Sequence, residues 1–125
     1  MDCMRYDLAV WFPDRILADE QALQQFHRLC EQDISGLIPH PSIDNFYFEL
    51  YKIHPEVDDI PDDKIEDFDF CPWSVAHDLS DCHVILSCVW SRAGYVHDPV
   101  LALAKKHGLA VFDPQLTKIH YPTDP

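Results

Sequence analysis

Glycine is scarce in this chain: Gly36, Gly94 and Gly108 are the only three. Loops that cradle phosphate or an oxyanion turn successive backbone N–H groups to one point and lean on glycine to do so. Two of the three glycines fall where helices should stop, so such loops are disfavoured. Basic residues are also scarce, with nine Lys and Arg against 22 Asp and Glu and a net charge of −13. Phosphate-backbone binding needs a basic surface, so nucleic acid is disfavoured as a partner, and an anionic membrane surface for the same reason. No apolar run approaches the roughly 18 residues of a membrane span. The opening Met1-Asp2-Cys3-Met4-Arg5 lacks a basic region followed by an apolar core. No signal peptide is expected on that ground, and a cytoplasmic location is.

Metal-ligand spacing is lacking too. Eight histidines and five cysteines contain no C-x-x-C, H-x-x-x-H or H-E-x-x-H, so no metal or cofactor is expected. Asp58-Asp59 and Asp62-Asp63 lack the alternating ligands and central glycine of a calcium loop. The cysteines (Cys3, Cys30, Cys71, Cys82, Cys88) are odd in number and irregularly spaced, which suits reduced, buried thiols. No nucleophile elbow is visible and no catalytic residue is assigned. The enzyme alternative rests on a Cys–His pair such as Cys88 with His77.

What is present is a core. Hydrophobic residues make up 47% of the chain, enough for one domain over residues 1–125. Cys82-His-Val-Ile-Leu-Ser-Cys-Val-Trp90 is the most apolar run, bounded by Asp78, Ser80 and Asp81 before it and Ser91 and Gly94 after. Its near-continuous apolarity predicts a central strand buried on both faces. Tyr6–Phe12 predicts a first strand. A helix capped by Asp19 and stopped by Gly36 should follow, with Ala22, Leu23, Phe26, Leu29, Cys30 and Ile34 on its apolar face. Ser42 should cap a second helix, with Ile43, Phe46, Tyr47, Leu50, Tyr51 and His54 on one face; His54 there reads as a core histidine. Cys71–His77 suggests a short strand and Asp78–Asp81 a turn. Asp98-Pro99 should open a third helix that Gly108 stops. Leu109–Phe112 and Lys118–Tyr121 complete the set. The expected fold is α+β: one mixed sheet of four to five strands covered on one side by helices. Its order is β-α-α-β-β-α-β-β, related to the ferredoxin-like pattern, with the first strand between the two that the last helix joins.

The charge is uneven. Residues 54–80 carry nine acids and one base, while residues 81–125 carry four of each. The segment 56–70 concentrates Glu56, Asp58, Asp59, Asp62, Asp63, Glu66, Asp67 and Asp69 around the single Lys64. A solvated loop is the plain reading. The functional reading is a surface for a basic protein, with Asp58, Asp59, Asp62, Asp63, Glu66, Asp67 and Asp69 as its contacts. Phe48 lies off the apolar face of its helix, beside Asp44, Asn45 and Lys52. An isolated exposed aromatic is ordinary; Phe48 is also the first apolar anchor such a partner would meet.

Two stretches carry a family resemblance: Tyr6-Asp-Leu-Ala-Val-Trp11, and Trp90-Ser-Arg92 followed by His107-Gly-Leu-Ala-Val-Phe-Asp-Pro-Gln115. They resemble a family of short, functionally unassigned bacterial proteins with a YDLAVW-like start and an HGL-x-x-FDPQ-like end. That family looks similar to immunity proteins encoded beside secreted toxins. The resemblance covers about a third of the chain and implies an inhibitor whose partner is a toxin domain; with the acidic surface, that toxin should have a basic active site. The chain departs from the family pattern at Asp98-Pro99 and in the acidity of 56–70. A general adaptor, with no toxin, is the third reading.

Overall fold

The structure is a computed structural model that describes residues 5–55, 59, 73, 77–89 and 93–122. Strand β1 (Arg5–Trp11) leads into helices α1 (Asp19–Cys30) and α2 (Pro41–Ile53). A two-residue strand β2 (Asp78–Leu79) turns into β3 (His83–Val89). Helix α3 (Ala93–Lys106), β4 (Ala110–Asp113) and β5 (Lys118–His120) follow. The sheet order is β2-β3-β1-β4-β5.

The α+β class, the five strands and the position of β1 agree with the sequence reading. Three details differ. Each pair of neighbouring strands is antiparallel, so the sheet is not mixed. β3 and β4 do run the same way, but β1 lies between them. Second, β1 rather than β3 is the middle strand. It pairs with β3 over seven residues, from Arg5↔Val89 to Trp11↔His83, and with β4 from Ala9↔Phe112 to Trp11↔Ala110. Asp7 interrupts the apolar run of β1 and hides its centrality in the sequence. Third, helices cover both faces of the sheet.

The second face follows from strand alternation. Tyr6, Leu8 and Val10 point to one side with Val84, Leu86, Cys88 and Val111; there they meet Ile43, Phe46 and Leu50 of α2 and Val96, Val100, Leu103 and Ala104 of α3. Ala9 and Trp11 point to the other side with Ala110 and Phe112, against Ala22, Phe26 and Leu29 of α1. Two cores on opposite faces explain why β3 reads as almost continuously apolar. Among the described residues no helix is long and apolar enough to cross a membrane.

The helix ends show which local signals were used. Gly108, at φ +71°, is the left-handed residue that ends α3. Leu109 N–H donates to Ala104 C=O and Gly108 N–H to Lys105 C=O, the paired bonds that absorb the last carbonyls. The end of α1 has the same bonds, with Gln32 at φ 64° in the left-handed position: Asp33 N–H reaches Arg28 C=O and Gln32 N–H reaches Leu29 C=O. Gly36 therefore stops no helix. The expected apolar face shortens with it, leaving Cys30 exposed and Ile34 in the following loop. Asp19 is the first residue of α1 and Ala18 its cap, with Gln21 Oε1 accepting from Ala18 N–H. His40 caps α2 through Nδ1, which accepts from Ser42 N–H at 3.1 Å, with Pro41 as the first helical residue. Ser42 is thus the recipient rather than the cap. α3 begins at Ala93, so Asp98-Pro99 lies inside it. Pro99 removes the N–H that would close a turn onto Tyr95, a cost that the buried Val96 and Val100 offset by packing on the sheet.

The small strand also moves. Asp78-Leu79, expected as turn, pairs with β3 through Asp78↔Ile85 and Leu79↔Val84. Within the expected strand at 71–77, Trp73 makes an isolated antiparallel bridge to Cys88; residues 71, 72 and 74–76 lie outside the described residues.

Candidate functional site

Helix α2 buries one stripe and turns another outward. Ile43, Phe46 and Leu50 are buried, whereas Phe48 is 61% exposed. Tyr47 and Tyr51, read from periodicity as core, are only half-buried. Their rings form a run along the helix. Phe48 meets Tyr47 edge-on at 5.7 Å between centroids, and Tyr47 lies 6.4 Å from Tyr51. The Tyr51 hydroxyl then donates to Asp59 Oδ2 at 2.9 Å. Two sequence candidates, Phe48 and Asp59, are thus joined through two tyrosines. Asp59 is exposed and belongs to the acidic segment. The other acidic candidates, Asp58, Asp62, Asp63, Glu66, Asp67 and Asp69, lie outside the described residues.

This face is braced from beneath. His54 ends α2, 8% exposed, with Nε2 at 2.8 Å from the Tyr95 hydroxyl on α3. Trp73 Nε1 donates to the His54 carbonyl at 3.2 Å, and the Trp73 ring meets His77 edge-on at 4.6 Å. His77 in turn meets Tyr47. Glu49, on the other flank, accepts from Lys106 Nζ at 2.9 and 3.0 Å and lies 3.0 Å from His107 Nε2. The Lys106 hydrogen bond comes first among the causes that hold the Glu49 carboxyl below its usual range. α2 is therefore tied at Glu49 to the C-terminal end of α3 and at His54 to its first turns.

Trp90-Ser-Arg92 lie outside the described residues, but parts of the other two resemblance stretches meet at another place. Tyr6 and Asp7 of β1 face the Asp113-Pro114-Gln115 turn. Tyr6 Oη donates to Asp113 Oδ2 at 3.1 Å, and Asp113 is 1% exposed. Asp113 Oδ1 accepts from Gln115 N at 3.0 Å, Gln115 Nε2 at 2.6 Å and Leu116 N at 3.3 Å. The Gln115 amide also takes both backbone groups of Asp7: Asp7 N–H donates to Gln115 Oε1 and Gln115 Nε2 to Asp7 C=O, each at 2.8 Å. β1–β4 pairing has ended at Ala9↔Phe112, and this amide continues it with a side chain. Both motifs are therefore parts of one internal clasp.

Burial and then the Asp113 charge push the Tyr6 phenol above its ordinary value. The folded protein keeps that proton at a pH where the unfolded chain has lost it. This contribution to stability is full below a pH of about 10 and declines as pH rises beyond it. Urea melts at pH 8 and 10.5 should show the alkaline loss, and Tyr6→Phe should make it smaller. An unchanged loss in the variant would assign it to other groups.

The cysteines of the sheet are poor nucleophiles. Burial, followed by the Asp7 charge, pushes the Cys88 thiol up to about 12. Burial and then Asp81 raise Cys82. Thiolates are therefore rare at neutral pH. His83 is buried in the β2–β3 turn, with Nδ1 at 2.6 Å from Ser80 Oγ and Nε2 at 3.5 Å from Asp78 Oδ2. The same Ser80 Oγ accepts from Cys82 N–H at 3.0 Å, and Ser80 N–H donates to His83 C=O at 2.9 Å. These bonds close the hairpin. Among the described residues no three His, Cys, Asp or Glu side chains converge as a metal site.

Periodicity had assigned Tyr47 and Tyr51 to the core. The signal that could have brought them forward is three consecutive aromatics, Phe46-Tyr47-Phe48, on a helix that buries only Phe46 of them. No family model, curated protein or solved structure matches this chain.

Proposed function

We propose that the chain is an immunity-type inhibitor that binds a basic toxin domain through the outer face of α2 and the acidic segment that follows it. The carrying observation is the run Phe48–Tyr47–Tyr51–Asp59, an aromatic strip ending on the first described carboxylate of that segment. Aromatic side chains of this kind supply most of the energy at protein interfaces, and dense carboxylates steer a basic partner in. The charge of −8 over residues 54–80 lies next to the strip in sequence. The raised thiols of Cys82 and Cys88 weigh against the alternative of an enzyme that uses them.

The test uses the protein encoded immediately upstream. Co-production with this chain should relieve its toxicity, and the two should co-purify. Phe48→Ala should then weaken binding by about 2 kcal/mol or more, roughly 30-fold, and leave the melting temperature within a degree or two. Association should slow with added salt, since steering is screened beyond about 8–10 Å. Unchanged affinity of Phe48→Ala, with no salt dependence, would remove this face as the interface.

A further inference from the structure

We propose that the groove between the β1–α1 connection and α1 is an anion site for a small phosphate monoester, held by Arg15 and Arg28. The groove, about 330 Å³, is lined by Arg15, Ile16, Leu17, Gln21, Gln24 and Arg28. It is independent of the α2 face and of its proposed partner.

Three observations carry it. The first is convergence. A methyl group built on Gly36 would lie 3.3 Å from Arg15 Nη2, 4.0 Å from Arg28 Nη2 and 3.0 Å from Gln25 Oε1. Two guanidinium groups, one from a loop and one from a helix, thus flank a single point. Gly36, at φ +87°, lets the backbone pass there without a side chain.

The second is positioning. Gln25 is completely buried, a costly place for an amide unless it is bonded. Its Oε1 accepts from Arg28 Nη2 at 2.9 Å and its Nε2 donates to Ser35 C=O at 3.2 Å. Arg28 is therefore oriented by a rigid group. The loop that carries Arg15 is held as well: the Tyr121 hydroxyl accepts from Leu17 N–H and donates to Leu17 C=O.

The third is charge. In a chain of −13, neither arginine has a carboxylate at ion-pair distance among the described residues. The ion pairs among the described residues belong to His83, His97, Lys106 and His107. Asp33, just past α1, feels the Arg28 charge but is held mainly by the hydroxyl and N–H of Ser35. Two like charges side by side repel, and a dianion removes the repulsion while using both planar forks. The side chains do here what the scarce glycines cannot do with backbone. Ile16, 76% exposed, and Leu17 add an apolar wall. That wall suits an ester whose carbon group lies beside the phosphoryl group, rather than free phosphate.

The experiment is a titration of the full chain with phenyl phosphate, followed by backbone amide NMR at 0.15 M salt. Saturating shifts confined to Arg15, Ile16, Arg28, Gly36 and their neighbours are expected, with a dissociation constant of about 1 mM or tighter. Inorganic phosphate should bind more weakly, and acetate at matched ionic strength should not saturate. Arg15→Gln should weaken phenyl phosphate at least tenfold with the melting temperature unchanged, because Arg15 is not part of the Gln25 bonds. Arg28→Gln is the second variant and should lose binding as well. No saturation, or wild-type affinity in Arg15→Gln, would overturn the site. Equal affinity for phosphate and phenyl phosphate would overturn the ester assignment.

Discussion

Asp113→Ala should destabilise the protein by about 3–5 kcal/mol. Asp113 is almost completely buried, and its two oxygens receive four donors: Tyr6 Oη, Gln115 N, Gln115 Nε2 and Leu116 N. Alanine strands all four at once. Water can reach the exposed Gln115 and Leu116, but Tyr6 is 8% exposed and keeps its hydroxyl in the interior. A hydrogen bond to a charged acceptor is worth about 1.5–3 kcal/mol, so the Tyr6 bond, lost outright, and the three part-buried bonds that water replaces only in part together reach the lower figure. Asp113→Asn should cost less, because its oxygen can keep the Gln115 and Leu116 donors while its NH2 group donates to the Tyr6 oxygen. Chemical denaturation of the two variants measures the difference. If alanine costs no more than asparagine, the clasp adds little to stability, and its residues must matter for another reason.

Leu86→Ala should cost about 2–5 kcal/mol, the range for emptying a leucine site in a closed core. Leu86 is 1% exposed and lies opposite Leu8 in the β1–β3 register. It shares its cluster with Ile43, Phe46 and Leu50 of α2 and with Val96, Val100 and Leu103 of α3. Two helices and a neighbouring strand cannot all collapse into the space it leaves, so a cavity penalty adds to the lost transfer energy. Leu116→Ala is the control: Leu116 is 72% exposed, and the change should stay within about 0.5 kcal/mol. A loss below about 1 kcal/mol for Leu86→Ala in a denaturant melt would contradict the placement of β3.

The two proposals concern separate surfaces, and their experiments can fail separately. Phe48 and Asp59 lie along α2 and the segment that follows it. Arg15 and Arg28 lie by α1, on the opposite face of the sheet. Neither Arg15 nor Arg28 had stood out in the sequence, where they are 13 positions apart with only Asp19 and Glu20 as charges between them. Only the fold brings a loop arginine and a helix arginine to one point.

The sequence by itself determined the elements whose signal is periodic. The apolar run at 83–89 had to be buried on both faces, because an exposed face would have carried polar residues at every second position. Ile43, Phe46 and Leu50 recur at helical spacing, and Gly108 offered the left-handed conformation that ends a helix without strain. The candidates Phe48 and the 56–70 carboxylates were also legible, since they break those patterns. Tertiary structure decided what pattern leaves open. Gln32 rather than Gly36 ends α1, because the last turn needed its carbonyls satisfied four positions earlier. α3 starts ahead of Pro99 because Val96 and Val100 gain more from the sheet than one lost helical bond costs. The middle place of β1 depends on strands far along the chain, and the meeting of Tyr6 and Asp7 with Asp113 and Gln115 joins residues more than 100 positions apart. Periodicity is a property of neighbours along the chain and carries no information about which distant hydrogen-bonding groups will be left for one another.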